Sequence, residues 1–558
     1  MGNTPWWKNK VAYQIYPRSF MDSNGDGIGD LNGITEKLDY LQKLGIDLVW
    51  LSPVYRSPMD DGGYDISDYR DINPMFGTMA DMDRLIAEAK KRGIRLLMDL
   101  VVNHCSDEHP WFQKALRDPD CEEAGYFWFV RSGDTPPNNW ASMFGGSAWE
   151  PVGDGRWYMH LFSKKQPDLN WENPVLRQKV YEMIRFWLDK GLGGFRIDAI
   201  THIKKMPGLP SGPSGSPDGL VGCHAYTRCI DGIGAFLREL RDETFSRYEC
   251  ITVAEAAGVP PHQLVDYVGP DGYFSTMFDF SYAEPYNYGR GWHTSKGPGE
   301  WDFRAWRDAL YLSQTETQKI GRGAVFLENH DYPRACQKFV PAKDHSPAVQ
   351  KMLGQLFFFL YGIPFIYQGE ELGMTNARFS SIDQIDDIST KNHYRIALED
   401  GLAPEEAIPL ICRYSRDNAR VPFPWDASPN GGFCPPGVKP WMCVHPDYPT
   451  VNAAAEEDDP SSVLAFYREM IRLRKSQDYG PTIVDGKFEP ILRRYDRLIA
   501  YTRHGERDLA VICSLSDRPR TVSLPFSPKK VVQASCPGWK KKGRGLSLLP
   551  YQSVLLEF

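Results

Sequence analysis

Eight short runs of β-branched and apolar residues, separated by stretches with helical spacing, constrain this 558-residue chain more than any other feature. The runs are Val11–Tyr16, Asp47–Leu51, Arg95–Val102, Gly194–Ile200, Ile251–Glu255, Met277–Phe280, Ala324–Leu327 and Pro364–Tyr367. Between them, Ile34, Leu38, Leu41 and Leu44 repeat at helical period, as do Met82, Leu85, Ile86 and Ala89 before Gly93. A third helix opens at Asn173-Pro174, a cap followed by proline at the first helical position, and continues through Val180, Met183, Ile184, Trp187 and Leu188. Short buried strands alternating with helices predict an α/β fold with a parallel sheet. Eight of them fit a (β/α)8 TIM barrel, with an open doubly wound sheet as the alternative.

The chain is too long for one compact domain, so two or three are expected. Residues 105–170 are rich in Gly, Pro and Trp and too long for a loop, and read as a subdomain inserted after strand three. The barrel then takes 1–104 and 171–478. From 479 to 558 the pattern changes to short strands and turns, at Leu498–Thr502, Leu509–Leu515, Thr521–Leu524, Lys530–Ala534 and Ser553–Phe558, a small antiparallel β-sandwich. No repeat of fixed period stands out, which argues against a solenoid.

Composition narrows the function classes. Hydrophobic residues at 42% and charged residues at 24% exclude a mainly disordered chain. The net charge of −8 and the lack of a basic stripe argue against nucleic acid, with Lys540-Lys541-Lys542 read as a solvated surface turn. Residues Met1 to Trp7 lack a basic region followed by an apolar core, so no secretory signal is read there. The longest apolar stretch, Leu356 to Tyr361, is too short to span a bilayer. Eleven cysteines without CxxC pairs read as free buried thiols of a reducing compartment, which favours the cytoplasm; a secreted chain stripped of its leader would look the same.

In a barrel, chemistry collects at the C-terminal ends of the strands. Strand three ends in Asp99 to His104, strand four carries Phe195-Arg196-Ile197-Asp198, strand five ends in Glu255, and strand seven ends in Glu328-Asn329-His330-Asp331. Three carboxylates on separate strands, with two histidines and an arginine, suit glycoside cleavage. One carboxylate attacks the anomeric carbon, a protonated one serves the leaving oxygen, and a third holds sugar hydroxyls. Arg196, two residues before Asp198, shares its face and keeps it ionised. Taken singly, each of these residues reads equally well as part of a structural ion pair.

These segments resemble the four signature regions of the α-amylase superfamily, glycoside hydrolase family thirteen. Gln166-Pro167-Asp168-Leu169-Asn170 resembles the inserted-domain motif of its oligo-1,6-glucosidase and α-glucosidase branch. The resemblance implies Asp198 as nucleophile, Glu255 as general acid/base and Asp331 as transition-state stabiliser, with His104, His330 and Arg196 around glucose in subsite −1. It also places Asp61 on the terminal 4-hydroxyl and Tyr64 against the sugar ring, within Ser57 to Asp65. Arg416, supported by Arg420, resembles the arginine that pairs with that aspartate and blocks longer chains; plain surface charge is the alternative. The implied enzyme is a retaining, exo-acting α-glucosidase on short oligosaccharides, a monomer or homodimer.

Three departures bear on specificity. Val421-Pro422-Phe423-Pro424-Trp425 stands where Thr-Pro-Met-Gln-Trp is usual, and Tyr332 where Gln is common, and both positions are expected near the +1 sugar. Ala199, after the nucleophile, stands where Val resembles α-1,6-specific members, and points to α-1,4 or mixed action. A sucrose isomerase or trehalose synthase using the same intermediate is the second hypothesis. A non-catalytic member such as the amino-acid transporter heavy chains is the third, and is disfavoured by the complete triad.

Asp22, Asn24, Asp26, Ile28 and Asp30 fall at positions 1, 3, 5, 7 and 9 of a Gly-rich loop, with Ile28 offering its backbone carbonyl. This all-oxygen set suits structural Ca²⁺ first and Mg²⁺ second, although the distal glutamate of an EF-hand is missing. A metal-free Asp/Asn/Gly turn is the alternative. No organic cofactor is expected.

Overall fold

A computed structural model describes residues 5–216, 218–283, 291–295 and 301–558. The eight strands are β1 (Ala12–Ile15), β2 (Leu48–Leu51), β3 (Arg95–Val101), β4 (Gly194–Asp198), β5 (Ile251–Glu255), β6 (Thr276–Phe278), β7 (Gly323–Val325) and β8 (Gly362–Tyr367). Each pairs in parallel with its neighbours in the chain, and β1 pairs with both β2 and β8. The sheet is therefore a closed barrel, not an open doubly wound one.

Strand alternation sorts the side chains. Leu48, Trp50, Leu97, Ile251, Val253, Phe278, Ile363 and Phe365 pack together inside the barrel. Their neighbours Val49, Leu51, Leu96, Met98, Phe195 and Ile197 pack in the outer core with the helices. Because Arg196 stands opposite Asp99 on β3 and Val253 on β5, it takes the inward parity, as does Asp198 two residues on. The interior is thus apolar at its base and charged at its C-terminal mouth. Strands β4 and β5 meet closely at Gly194, whose φ is +144° and where a Cβ would lie 1.8 Å from the Ile251 carbonyl oxygen. Only glycine fits there.

The outer helices follow their sequence signals. Met79–Lys91 begins with a Thr78/Asp81 capping box. Pro174–Asp189 begins at Asn173, whose side chain accepts from the amides of Val175 and Leu176. Removing such a cap costs about 1 kcal/mol. After β8, Ile388–Glu399 and Pro404–Cys412 form a helical pair around Ala397, Ala407 and Ile411.

Between β3 and the helix Pro174–Asp189, strands Phe129–Arg131, Trp149–Pro151 and Arg156–Met159 form a small antiparallel sheet. Trp140–Ala141 pairs with Val221–Gly222, and Cys223 joins the Trp140, Trp149 and Trp157 cluster. This packing unit therefore draws in chain from beyond residue 170. At the C-terminal end the helix Gly480–Asp485 precedes the first strand, Lys487–Pro490. A five-stranded and a three-stranded sheet then share a core of Leu498, Ala500, Ile512, Val522, Leu546 and Leu556. Lys540–Lys542 is an exposed edge strand paired with Gly545–Leu548, not a turn. Its lysines blunt an open sheet edge.

All eleven cysteines are free; six are buried, four are half-buried and Cys443 is exposed, so the expectation of buried thiols holds only in part. Among the described residues no helix is long and apolar enough to cross a membrane.

Candidate active site

Asp99 on β3, Arg196 and Asp198 on β4 and Glu255 on β5 meet at the barrel mouth. Arg196 Nη1 donates to Asp99 Oδ1 at 2.7 Å and to Asp198 Oδ1 at 2.6 Å, and Nη2 donates to Glu255 Oε2 at 2.5 Å. The Ala199 amide reaches the same Glu255 oxygen at 3.1 Å, from a residue whose φ is 42°. A β-branched side chain at that left-handed position is strained. Asp99 is anchored from behind by Trp50 Nε1 at 3.0 Å and Tyr64 OH at 2.9 Å.

One buried cation thus serves three carboxylates, and acidity divides among them. Burial pushes Glu255 up to about 8; Arg196 opposes this, and the charges of Asp198 and Asp331 add to it. Burial also raises Asp198, to about 6, against the pull of Arg196 and with the push of Asp99. Arg196 therefore does not keep Asp198 at an ordinary carboxylate pKa, because its charge is shared. Near pH 7, Asp198 is still the ionised member and Glu255 the protonated one.

The opposite wall carries more cations. Burial favours neutral Asp331, yet His330, protonated only at low pH, and the permanent charges of Arg416, Arg420 and Arg196 hold it well below the usual carboxylate range. Arg416 Nη1 and Arg420 Nη2 each lie 3.3 Å from Asp331 Oδ1. Arg416 Nη2 lies 3.0 Å from Asp61 Oδ1, so the two loops expected to meet do meet. Both Arg416 and Arg420 are inward-facing, not surface charges.

His330 is fully buried and pushed down to about 3, first by burial, so it is neutral at pH 7. Its Nδ1 lies 2.8 Å from the Gln14 amide nitrogen, which makes Nδ1 the acceptor and Nε2 the N–H. That N–H faces Tyr64 OH at 2.6 Å and Asp331 at 3.3 Å. The Tyr64 and His330 rings stack with centroids 5.3 Å apart. His104, lowered to about 4 by burial, sits against Phe162, and Gln166 bridges it to Asp61.

Asp61, Tyr64, His104, Arg196, Ala199, His330, Arg416 and Arg420 thus gather around Asp198, Glu255 and Asp331. In the Val421–Trp425 segment Val421 and Phe423 are buried, the latter packed among Phe20, Tyr40 and Trp425. Tyr332 is half-buried against Phe280, with the Lys338 ammonium over its ring.

Several partners escaped sequence reasoning. Gln14 on β1 carries no motif, though its inward parity with Ala12 could have flagged it. Asp387 contacts Arg416 from the start of a helix whose periodicity is weak. Asp65 caps the Asp60 and Asp61 amides and fixes the Asp61 turn. Lys205 forms a buried pair with Asp168 at 2.6 Å, tying the inserted segment to the barrel.

The Asp22–Asp30 loop lies apart from this cluster, against residues 433–441. Asp22 accepts from the amides of Asn24, Gly25 and Gly27, and Asp30 from Ser23 and Gly33. Among the described residues no three His, Cys, Asp or Glu side chains converge as metal ligands. A cation here would have to rest also on the Asn24 amide oxygen and the Ile28 carbonyl, an all-oxygen set of the hard-cation kind.

Comparison with known proteins agrees with this geometry. The α-amylase catalytic-domain model matches residues 14–484. An oligo-1,6-glucosidase of Parageobacillus thermoglucosidasius is 45% identical over 531 residues, 93% of this chain and 92% of that one. Among solved structures, a variant of trehalose-6-phosphate hydrolase from Bacillus licheniformis superposes with a TM-score of 0.92 at 37% identity, covering 99% of this chain and 100% of that one. Isomaltulose synthase from Klebsiella sp. LX3 does so with a TM-score of 0.91 at 36% identity over the whole of both chains. With more than half its length matched, and a relative this similar across both chains, the chain belongs to the α-amylase catalytic-domain family.

Proposed function

We propose that this glycoside hydrolase is a retaining, exo-acting α-glucosidase that removes terminal glucose from short α-glucosides. The observation that carries the reading is the sharing of Arg196 by Asp198 and Glu255, with one pushed to about 6 and the other to about 8. Close placement of nucleophile and acid suits double displacement. Glu255 gives its proton to the glycosidic oxygen as the Asp198 carboxylate bonds to C1 and the aglycone leaves. Glu255, now ionised, takes a proton from water, which attacks C1, breaks the ester and returns Asp198 as carboxylate. Two inversions leave the α configuration.

The Arg416–Asp61 pair supports exo action. A charged pair across the end of subsite −1 occupies the space a further sugar would need. Neutral His104 and His330 act as hydrogen-bonding groups toward hydroxyls, and Asp331 stays ionised to meet the positive charge that develops at C1. The small Ala199 supports α-1,4 or mixed action, against the 1,6-linked name of the relative. A methyl-scale difference is worth only ~1–3 kcal/mol.

The Asp22–Asp30 loop is assigned to Ca²⁺, held by Asp22, Asn24, Asp26, Ile28 and Asp30, where it would stabilise the loop and take no part in the chemistry. A cytoplasmic enzyme fits the unpaired cysteines, and a monomer or homodimer remains the expected assembly.

Initial rates on maltose, isomaltose, sucrose and trehalose, with Asp198→Asn as control, test the function. Equal glucose and fructose from sucrose supports hydrolysis. A rearranged disaccharide as main product would favour the isomerase reading, which the likeness to isomaltulose synthase keeps open.

A further inference from the structure

Arg416 can close the pocket only if its own side chain is fixed, and it lies just ahead of a single helical turn, Asp417–Arg420. The group that fixes it comes from elsewhere. Asp387 Oδ1 lies 2.7 Å from both Nε and Nη2 of Arg416, and the carboxylate is only 1% exposed. The same carboxylate caps the helix Ile388–Glu399, accepting from the amides of Ser389 at 3.1 Å and Thr390 at 3.2 Å.

The tie is reciprocal. Asp417 Oδ2 accepts from the amides of Asp386 at 2.7 Å and Asp387 at 3.0 Å. The Thr390 hydroxyl reaches both Asp387 and, at 2.8 Å, the Ser415 hydroxyl. One turn further along the helix, Asn392 Nδ2 donates to the Phe144 carbonyl at 2.6 Å, and the Phe144 ring lies 5.4 Å from the Arg416 guanidinium carbon. A single helix thereby links the inserted segment to the arginine at the blind end of the site.

We infer that Asp387 is a positioning residue for glucose binding: through its charge-assisted bonds it orients Arg416 toward Asp61, and so sets the closed end of subsite −1. This rests on the proposed α-glucosidase reading. A carboxylate serving only as a helix cap is distinguishable, because Asn caps as well as Asp but carries no charge and forms no ion pair with Arg416.

The test is steady-state kinetics on p-nitrophenyl α-glucoside with the full chain, its Asp387→Asn and Arg416→Ala variants and the double variant, alongside thermal melting. Asp387→Asn is expected to raise KM about tenfold, more than it lowers kcat, with Tm unchanged. Arg416→Ala raises KM at least as much, and the double variant is no worse than Arg416→Ala alone, because both act through one contact. If Asp387→Asn fails to fold, Asp387→Ser, which also caps, takes its place. Arg416→Ala raising KM while Asp387→Asn does not overturns the inference and leaves the pocket intact. Fully additive KM effects overturn it as well. An unchanged KM in Arg416→Ala sinks the closed-pocket reading and this inference with it.

Discussion

The floor and the rim of the site hold the same kind of group in opposite states. On the floor, Asp99, Asp198 and Glu255 share Arg196, and all three are pushed up in pKa. On the rim, Asp331 and Asp387 face Arg416 and Arg420, and both are pushed down. Burial acts on both sets alike. Asp331 and Asp387 each feel both Arg416 and Arg420, whereas three floor carboxylates divide Arg196. Rim Asp417, beside Asp387 and Arg420, is itself pushed up to about 6. A floor whose carboxylates divide one cation is poised to pass protons, and the pair of arginines around Asp331 is a fixed electrostatic clamp.

The largest expected effect breaks the floor. Asp198→Asn removes the nucleophile and should cut kcat by ~10⁴-fold or more at unchanged fold, read by initial rates and circular dichroism. Glu255→Gln should cost ~10²–10⁴-fold on disaccharides. The loss should shrink for p-nitrophenyl α-glucoside, whose leaving group needs little protonation; equal losses on both substrates would deny Glu255 the role of acid.

The pH profile sharpens the contrast. Activity requires ionised Asp198, so kcat/KM should rise through about 6. It also requires protonated Glu255, so it should fall through about 8. Beyond either limb the rate drops about tenfold per pH unit, and the two values belong to the coupled pair. Asp331, held well below the usual range, should add no limb in this window. Smallest is the effect of chelation: excess EDTA should lower Tm by about 1 °C, on the order of 1 kcal/mol for a chain this size, with kcat unchanged. Unchanged melting would count against a cation in the Asp22–Asp30 loop.

The floor was readable from sequence because barrel strands are short, apolar and period-two: placing Val253 inside also places Glu255 there. Each of the eight barrel strands overlaps its sequence run for the same reason. The rim was readable only where a motif stands, at Asp61, His330 and Arg416. Asp387 and Gln14 were not, since their contacts join residues 29 and 316 positions apart and leave no local period. At Val421–Trp425 the loop motif located a segment without saying which face it buries. Lys540–Lys542 misled because an exposed edge strand of lysines has the composition of a turn.

Stereochemistry reaches the floor most directly. In ¹H NMR of fresh hydrolysate, before mutarotation, an ester of Asp198 opened by water through Glu255 releases α-glucose first. β-Glucose as the initial anomer would mean a single displacement, and Asp198 could not then be the nucleophile.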